Sequence, residues 1–173
     1  MKWFIASDIH GSAYFAEKMI EAYKREQADK MLLLGDILYH GPGNDLPRDY
    51  TPKKVIPLLN KEKEHILCVR GNCDAEVDQM VLDFPCLADY SQLMVDGKVF
   101  HLSHGHHQNP ESLPKLPAGS VFLYGHTHVK FDKVVGGIRC LNPGSVSIPK
   151  DGSHSYLICE NGTFRFCILE ESL

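Results

Sequence analysis

Six short polar clusters, each following an apolar run or set in a Gly/Pro turn, constrain this chain more than anything else in it. Asp8-Ile9-His10 follows the apolar run 3–6, and Gly35-Asp36 follows 31–34. Gly71-Asn72-Cys73-Asp74 follows 66–69, and His104-Gly105-His106 follows 99–102. Gly125-His126-Thr127-His128 follows 121–124, and Asn142-Pro143-Gly144-Ser145 comes after 138–141. Ligand sites in α/β proteins collect beyond the carboxyl ends of strands. Two Asp, one Asn and four His would meet at one such rim, a set of oxygen donors and imidazoles suited to two metal ions. The pattern predicts a dinuclear metallohydrolase.

A length of 173 residues fits one domain over 1–173, with a sizeable core. The 43% apolar and 23% charged content is ordinary for a globular protein. A net charge of −4 argues against capture of a long nucleic acid. It leaves small phosphorylated substrates open, because bound cations would reverse the local field. The first apolar run is cut by Asp8 and is too short for a signal peptide, and no run approaches a membrane span. Six cysteines without a C-x-x-C pair, most within apolar runs, read as reduced and buried in a cytoplasmic protein. A two-residue turn at Asn161-Gly162 would set Cys159 opposite Phe164, so Cys159 and Cys167 are not direct cross-strand partners.

The first half alternates strand and helix. Residues 2–7 read as a buried strand. Residues 13–27 read as a helix, with Ala16, Met19, Ile20 and Tyr23 on one face. Residues 30–34 suit a central parallel strand, and 65–69 a third. Thr51 is placed to cap a helix with Pro52 in its first position, while Pro57 would bend or shorten it. The second half turns to hairpins, with Asp96-Gly97, Gly136-Gly137 and Asn161-Gly162 at the turns. The Gly/Pro-rich segments 41–52 and 109–119 read as long functional loops.

The order and spelling of these clusters resemble the calcineurin-like metallophosphoesterase superfamily, and most of all the small bacterial YfcE-type phosphodiesterases. The likeness runs from Lys2 to the final strands and includes Tyr39-His40-Gly41-Pro42, Arg70-Gly71-Asn72-Cys73-Asp74 and the stretch from Asn142 to Pro149. It implies an α/β fold, a four-layer α/β/β/α sandwich of two mixed β-sheets flanked by helices. It also assigns one ion to Asp8, His10, Asp36 and His128, and the other to Asp36, Asn72, His104 and His126, with Asp36 bridging. Two-residue spacing lets the side chains of Asp8 and His10, and of His126 and His128, point the same way. One short segment can then serve two ions roughly 3.5–4 Å apart. Nitrogen and oxygen donors favour manganese(II), zinc or iron. Manganese(II) is preferred on the resemblance, although affinity order alone favours zinc.

Two divalent ions acidify a shared water, so the expected chemistry is in-line attack of a bridging hydroxide on phosphorus without a phospho-enzyme. No Walker loop is present. In many superfamily members a His follows the Asn and is a candidate acid for the leaving oxygen. Here the residue is Cys73, a poor substitute for imidazolium. Two cations, two carboxylates and a hydroxide leave roughly +1 at the centre, which suits a monoanionic diester better than a dianionic monoester. Small phosphodiesters are therefore the expected substrates.

His104, Asn72, Asp36 and His106 are the candidates for catalysis, His106 because it sits two residues from His104. Arg70, Cys73, His40 and Asn44 are the candidates for substrate contact, with a structural ion pair as the competing reading of Arg70. Ser145 has no triad spacing and reads as part of a supporting turn. The competing functions are a phosphomonoesterase or nucleoside-pyrophosphate hydrolase, and a protein-binding scaffold, since the same fold occurs in a retromer subunit. Neither homo-oligomerisation nor the natural substrate is decided by these residues.

Overall fold

The computed structural model describes residues 1–171. Strand β1 (Lys2–Ala6) pairs in parallel with β2 (Lys30–Leu33) and antiparallel with β9 (Ser155–Glu160). With β3 (Ile66–Cys68) and β10 (Thr163–Ile168) at the edges, the first sheet runs β10-β9-β1-β2-β3. The second comprises β4 (Tyr90–Val95), β5 (Lys98–Ser103), β6 (Val121–Leu123), β7 (Lys130–Val135) and β8 (Ile138–Pro143), in the order β4-β5-β6-β8-β7. Both sheets are mixed; the parallel strand β3 forms an edge, whereas β1, β2, β5, β6 and β8 lie inside. Their near-continuous apolar sequences follow, because interior parallel strands are covered on both faces.

Alternation along those strands sorts the core into layers. Ile5, Leu32, Leu34 and Leu157 of the first sheet meet Phe100, Leu102, Leu123 and Leu141 of the second. The opposite face of the first sheet presents Phe4, Met31 and Leu33 to helices α1 (Ala13–Glu26) and α2 (Pro52–Asn60). Ala16, Met19, Ile20 and Tyr23, the face expected from their spacing, are the buried stripe of α1. Its N-cap Ser12 accepts the Phe15 N–H at 3.2 Å. The outer face of the second sheet carries Phe122, Tyr124, Ile138 and Cys140, covered by Leu113 and Leu116. Those two come from the β5–β6 connection, where Pro110, Pro114 and Pro117 oppose helix formation. Two mixed sheets flanked by helices match the expected class; over the second sheet the covering layer is an irregular segment.

Local details depart from expectation at two places, the cap of α2 and the start of β3. Thr51 occupies the cap position of α2, but its hydroxyl donates to Asp49 (2.7 Å) and makes no cap bond. Pro57 sits inside α2, which ends at Asn60. The third strand is shorter than 65–69, because His65 closes a 3-10 turn over Lys63–His65. A four-residue helix α3 (Glu76–Gln79) follows β3. All six cysteines are free, and Cys159 faces Phe164 as the turn register requires. No helix among the described residues is long and apolar enough to cross a membrane.

All three expected hairpins form, and each turn has both central residues at positive φ. The pairs are Asp96 and Gly97 (50° and 76°), Gly136 and Gly137 (57° and 79°), and Asn161 and Gly162 (51° and 77°). This is the type I′ geometry that matches strand twist. A Cβ at Gly162 would meet nothing within 4 Å, so its constraint is purely conformational. Gly162→Ala should therefore lower stability by about 1–2 kcal/mol, read as an earlier urea midpoint with an unchanged folded-state spectrum.

Candidate metal centre

The carboxyl ends of β1, β2 and β3 in one sheet and of β5 and β6 in the other open onto a common rim. Backbone bonds lace their loops together: Asp8 N–H to Gly35 O (3.1 Å), His10 N–H to Asp36 O (2.9 Å) and Gly125 N–H to His104 O (2.7 Å). Asp8, His10, Asp36, His126 and His128 all adopt left-handed backbone, with φ between 48° and 70°. Such conformations cost roughly 1–3 kcal/mol each and persist only where surroundings over-determine them. The shared direction of Asp8 with His10, and of His126 with His128, thus comes from left-handed loop backbone, one of the two geometries, extended or loop, that their spacing allows.

Three imidazoles are oriented from behind. Nδ1 of His10 lies 2.8 Å from Tyr39 O, that of His104 2.6 Å from Leu34 O, and that of His128 2.7 Å from Ile148 O. A carbonyl only accepts, so each Nδ1 carries the hydrogen and each neutral ring turns a bare Nε2 inward. These nitrogens face other acceptors. Nε2 of His10 and His128 are 3.3 Å apart, and Nε2 of His104 is 3.0 Å from Asn72 Oδ1 and 3.1 Å from Asp36 Oδ2. Asp8 Oδ1 is buried and accepts no hydrogen bond among the described residues, while Nε2 of His128 and His10 lie 3.2 and 3.4 Å away. Lone pairs brought this close require protons or metal cations between them.

Donor atoms gather into triads spanning no more than 4.8 Å: Asp8, His10 and His128; His10, Asp36 and Cys73; Asp36, His104 and His126. Asn72 Oδ1 joins the last, 3.0 Å from His126 Nδ1. Asp36 Oδ2 is 3.6 Å from His10 Nε2 and 3.1 Å from His104 Nε2, which puts its carboxylate between the two groups. All seven expected donors therefore converge, and the donor chemistry fits two divalent cations. Without a cation, protons answer the same demand. Burial opposes charge on His104, yet the Asp8 and Asp36 carboxylates raise its pKa to about 9. Burial likewise works against His10, but Asp8 and Asp36 raise it. Asp8 is buried too, and His104, His10 and His128 hold it well below the usual carboxylate range.

Behind the donors stand supporting residues, of which Asp74 has a part that was not read from the sequence. The Asp74 carboxylate accepts the backbone N–H groups of Asp36 (2.8 Å), Ile37 (2.9 Å) and Gly71 (2.7 Å), joining the β2 and β3 loops. Its place in the Arg70–Asp74 cluster was the available signal. Asn142 Nδ2 donates to Gly125 O (2.9 Å) and Thr127 Oγ1 (3.0 Å), steadying the loop of His126 and His128. Ser145 and Ser147 hydroxyls donate to Asp8 O at 2.8 and 3.1 Å, so Ser145 belongs to a supporting turn. A Cβ at Gly71 would lie 2.1 Å from Asp36 Oδ1, so only glycine permits this approach.

Around the rim, Cys73 N–H donates to Asp36 Oδ1 (2.8 Å). Burial, reinforced by Asp36 and Asp74, pushes its thiol up to about 12. Arg70 donates to Asp74 O (3.0 Å) and pairs with Glu76 (3.5 Å). Asn44 donates to His40 O (2.8 Å), and the His40 ring packs edge-on against Tyr50. His106 lies 5.3 Å from the His104 ring, with its pKa down to about 4 through burial and the neighbouring imidazoles.

Residues 1–163 match the calcineurin-like phosphoesterase superfamily domain. The chain is 44% identical over 172 residues to a protein named phosphodiesterase YfcE from Escherichia coli strain K12, covering 99% of this chain and 94% of that one. It is 26% identical over 151 residues to a phosphodiesterase of Methanocaldococcus jannaschii, covering 83% of each. A solved structure described as Yfce, a phosphoesterase from E. coli, superposes with a TM-score of 0.91 at 41% identity, covering 98% of this chain and 100% of that chain.

Two outcomes follow from the geometry. Asp74→Ala, which leaves three loop N–H groups without their acceptor, should weaken metal affinity about 10–100-fold, read by chelator competition. In the metal-free protein, His104 has a folded pKa of about 9 against an ordinary 6.5. Its stabilising contribution is fully present below pH 6.5 and is lost as pH rises through about 9. The metal-free melting temperature should fall over that interval, and saturating divalent metal should remove the slope.

Proposed function

This chain belongs to the calcineurin-like phosphoesterase superfamily, and on that premise we propose that it is a dinuclear phosphodiesterase acting on small phosphodiesters. Asp8, His10, Asp36 and His128 would hold one ion, and Asp36, Asn72, His104 and His126 the other. The observation that carries the reading is the inward-facing set of Nε2 atoms, each fixed by a carbonyl behind its ring. Two divalent cations bound there supply an acidified water and offset negative charge on the phosphoryl oxygens. Manganese(II) is the proposed metal, with zinc or iron as alternatives, on the preference of nitrogen and oxygen donors. Both sheets share one inter-sheet core, which supports a single domain over 1–173. Six unpaired cysteines support a cytoplasmic setting.

The chain's own residues shape the chemistry. The backbone N–H of Cys73 and the amide of Asn72 set the geometry on the Asp36 side. In the metal-free protein burial and the Asp36 carboxylate push the Cys73 thiol up to about 12, and a thiol is a poor substitute for imidazolium as an acid toward a leaving oxygen at neutral pH. This favours esters whose leaving group departs without a proton and disfavours phosphoserine-like monoesters. His106, kept neutral and 6.2 Å from the His126 ring, would contact a phosphoryl oxygen or an ester oxygen. His40 and Asn44 sit in the loop over Cys73, where Gly41 makes its close approach to the thiol. Arg70 acts through Asp74 and Glu76, a brace for the loop that carries Asn72.

The test is a panel of diesters and monoesters assayed with manganese(II), zinc and iron(II). Turnover of 4-nitrophenyl diesters that chelation abolishes and metal restores is expected. Tight metal binding without turnover would replace the enzyme with a scaffold. Cys73→His should raise the rate on esters with poor leaving groups, relative to 4-nitrophenyl esters, by at least about tenfold. An unchanged ratio would remove the leaving-group argument.

A further inference from the structure

The second sheet's outer face is only partly covered. Leu113 and Leu116 of the β5–β6 segment close one part of it. Beside them remains an open groove of about 690 Å³, within the ~300–1,000 Å³ typical of small-molecule pockets. Tyr124 and Phe131 form its aromatic wall, their ring centroids 5.9 Å apart and steeply inclined. Val129, Val135 and Pro110 add apolar surface, and Glu111 stands at the exposed rim. No Lys or Arg lines the groove among the described residues.

What gives this groove meaning is its border. His126 and His106 both line it, and His126 is also a donor of the proposed metal centre. A phosphodiester reacting there has two organic groups to place. Cys73 neighbours His10 and Asp36 and holds the position where the resemblance puts the acid for the leaving oxygen, so the leaving group is assigned to that side. The groove adjoins His126 instead. An apolar, partly aromatic wall binds neutral planar groups by area and ring contacts. Glu111 at the rim repels a second phosphate or carboxylate, while the Lys133 ammonium, 5.5 Å from the Phe131 ring centroid, is not part of the lining.

We propose that this groove is the specificity subsite for the retained ester group of the substrate, and that it selects diesters whose retained group is neutral and aromatic or otherwise apolar. The inference rests on the phosphodiesterase reading and narrows it. Pyrophosphates and diesters with an anionic tail are disfavoured substrates on this account.

The experiment uses the metal-loaded chain and three substrates with the same 4-nitrophenyl leaving group, the retained group being phenyl, methyl or 4-carboxyphenyl. The readout is the ratio of kcat/KM values within each protein. Wild type should prefer phenyl over methyl by about tenfold or more, mainly through KM, and should discriminate against 4-carboxyphenyl. Val135→Glu should bring the phenyl-to-methyl ratio to within about twofold of unity. The matched change Val134→Glu, at a side chain 69% exposed on the same strand and outside the groove, should keep the wild-type ratio. Glu111→Lys should raise the relative rate of the 4-carboxyphenyl ester severalfold. Circular dichroism and metal content check that each variant is folded and loaded. Turnover without phenyl preference, or a preference surviving in folded Val135→Glu, overturns the subsite and leaves the phosphodiesterase intact. Absence of all turnover overturns the phosphodiesterase reading instead. Calorimetric binding of diphenyl phosphate against dimethyl phosphate then decides the groove separately: tighter binding of the diphenyl ester supports it, and equal binding overturns it.

Discussion

The site depends first on a bond made outside it. A backbone carbonyl takes the Nδ1 hydrogen of His10, His104 and His128, and this decides where the other nitrogen of each ring points. Once Nε2 is turned inward, lone pairs of nitrogen and oxygen stand 3.0–3.3 Å apart with nothing between them but a proton or a cation. The raised pKa of His104 and the lowered pKa of Asp8 express that electrostatic demand in the metal-free protein. A metal ion meets it with more charge than a proton.

Holding such an arrangement requires the fold to resist it on every side. Five candidate ligands have left-handed backbone, conformations that L side chains adopt at a cost. Asp74, Asn142, Ser145 and Ser147 tie the loops that carry them, and two five-stranded sheets place the loop origins on one rim. Stability is thus built in the inter-sheet core and drawn upon at the rim. The irregular β5–β6 segment fits this pattern: where a helix would have sealed the second sheet, proline-interrupted chain leaves apolar surface open beside His126.

Much of this was legible from residues alone, because local chemistry set it. The hairpin turns at Asp96, Gly136 and Asn161 follow from residues that tolerate positive φ. The buried stripe of α1 follows from helical spacing, and the free cysteines from their scatter. Boundaries were less secure where long-range contacts compete. Thr51 turned its hydroxyl to Asp49 rather than to its own helix, and His65 joined a 3-10 turn instead of β3.

By itself, the sequence determined the candidate donor set, the strand ends that bear it and the two-sheet class, since each lies in a short stretch whose pattern suffices. Only the tertiary structure decided which Nε2 atoms face one another, that Asp74 accepts three loop amides, and that Arg70 turns to Glu76. It alone decided that the groove exists. These outcomes depend on distances between loops far apart in the chain, and side-chain hydrogen bonds go to whichever partner the packed fold brings within about 3 Å.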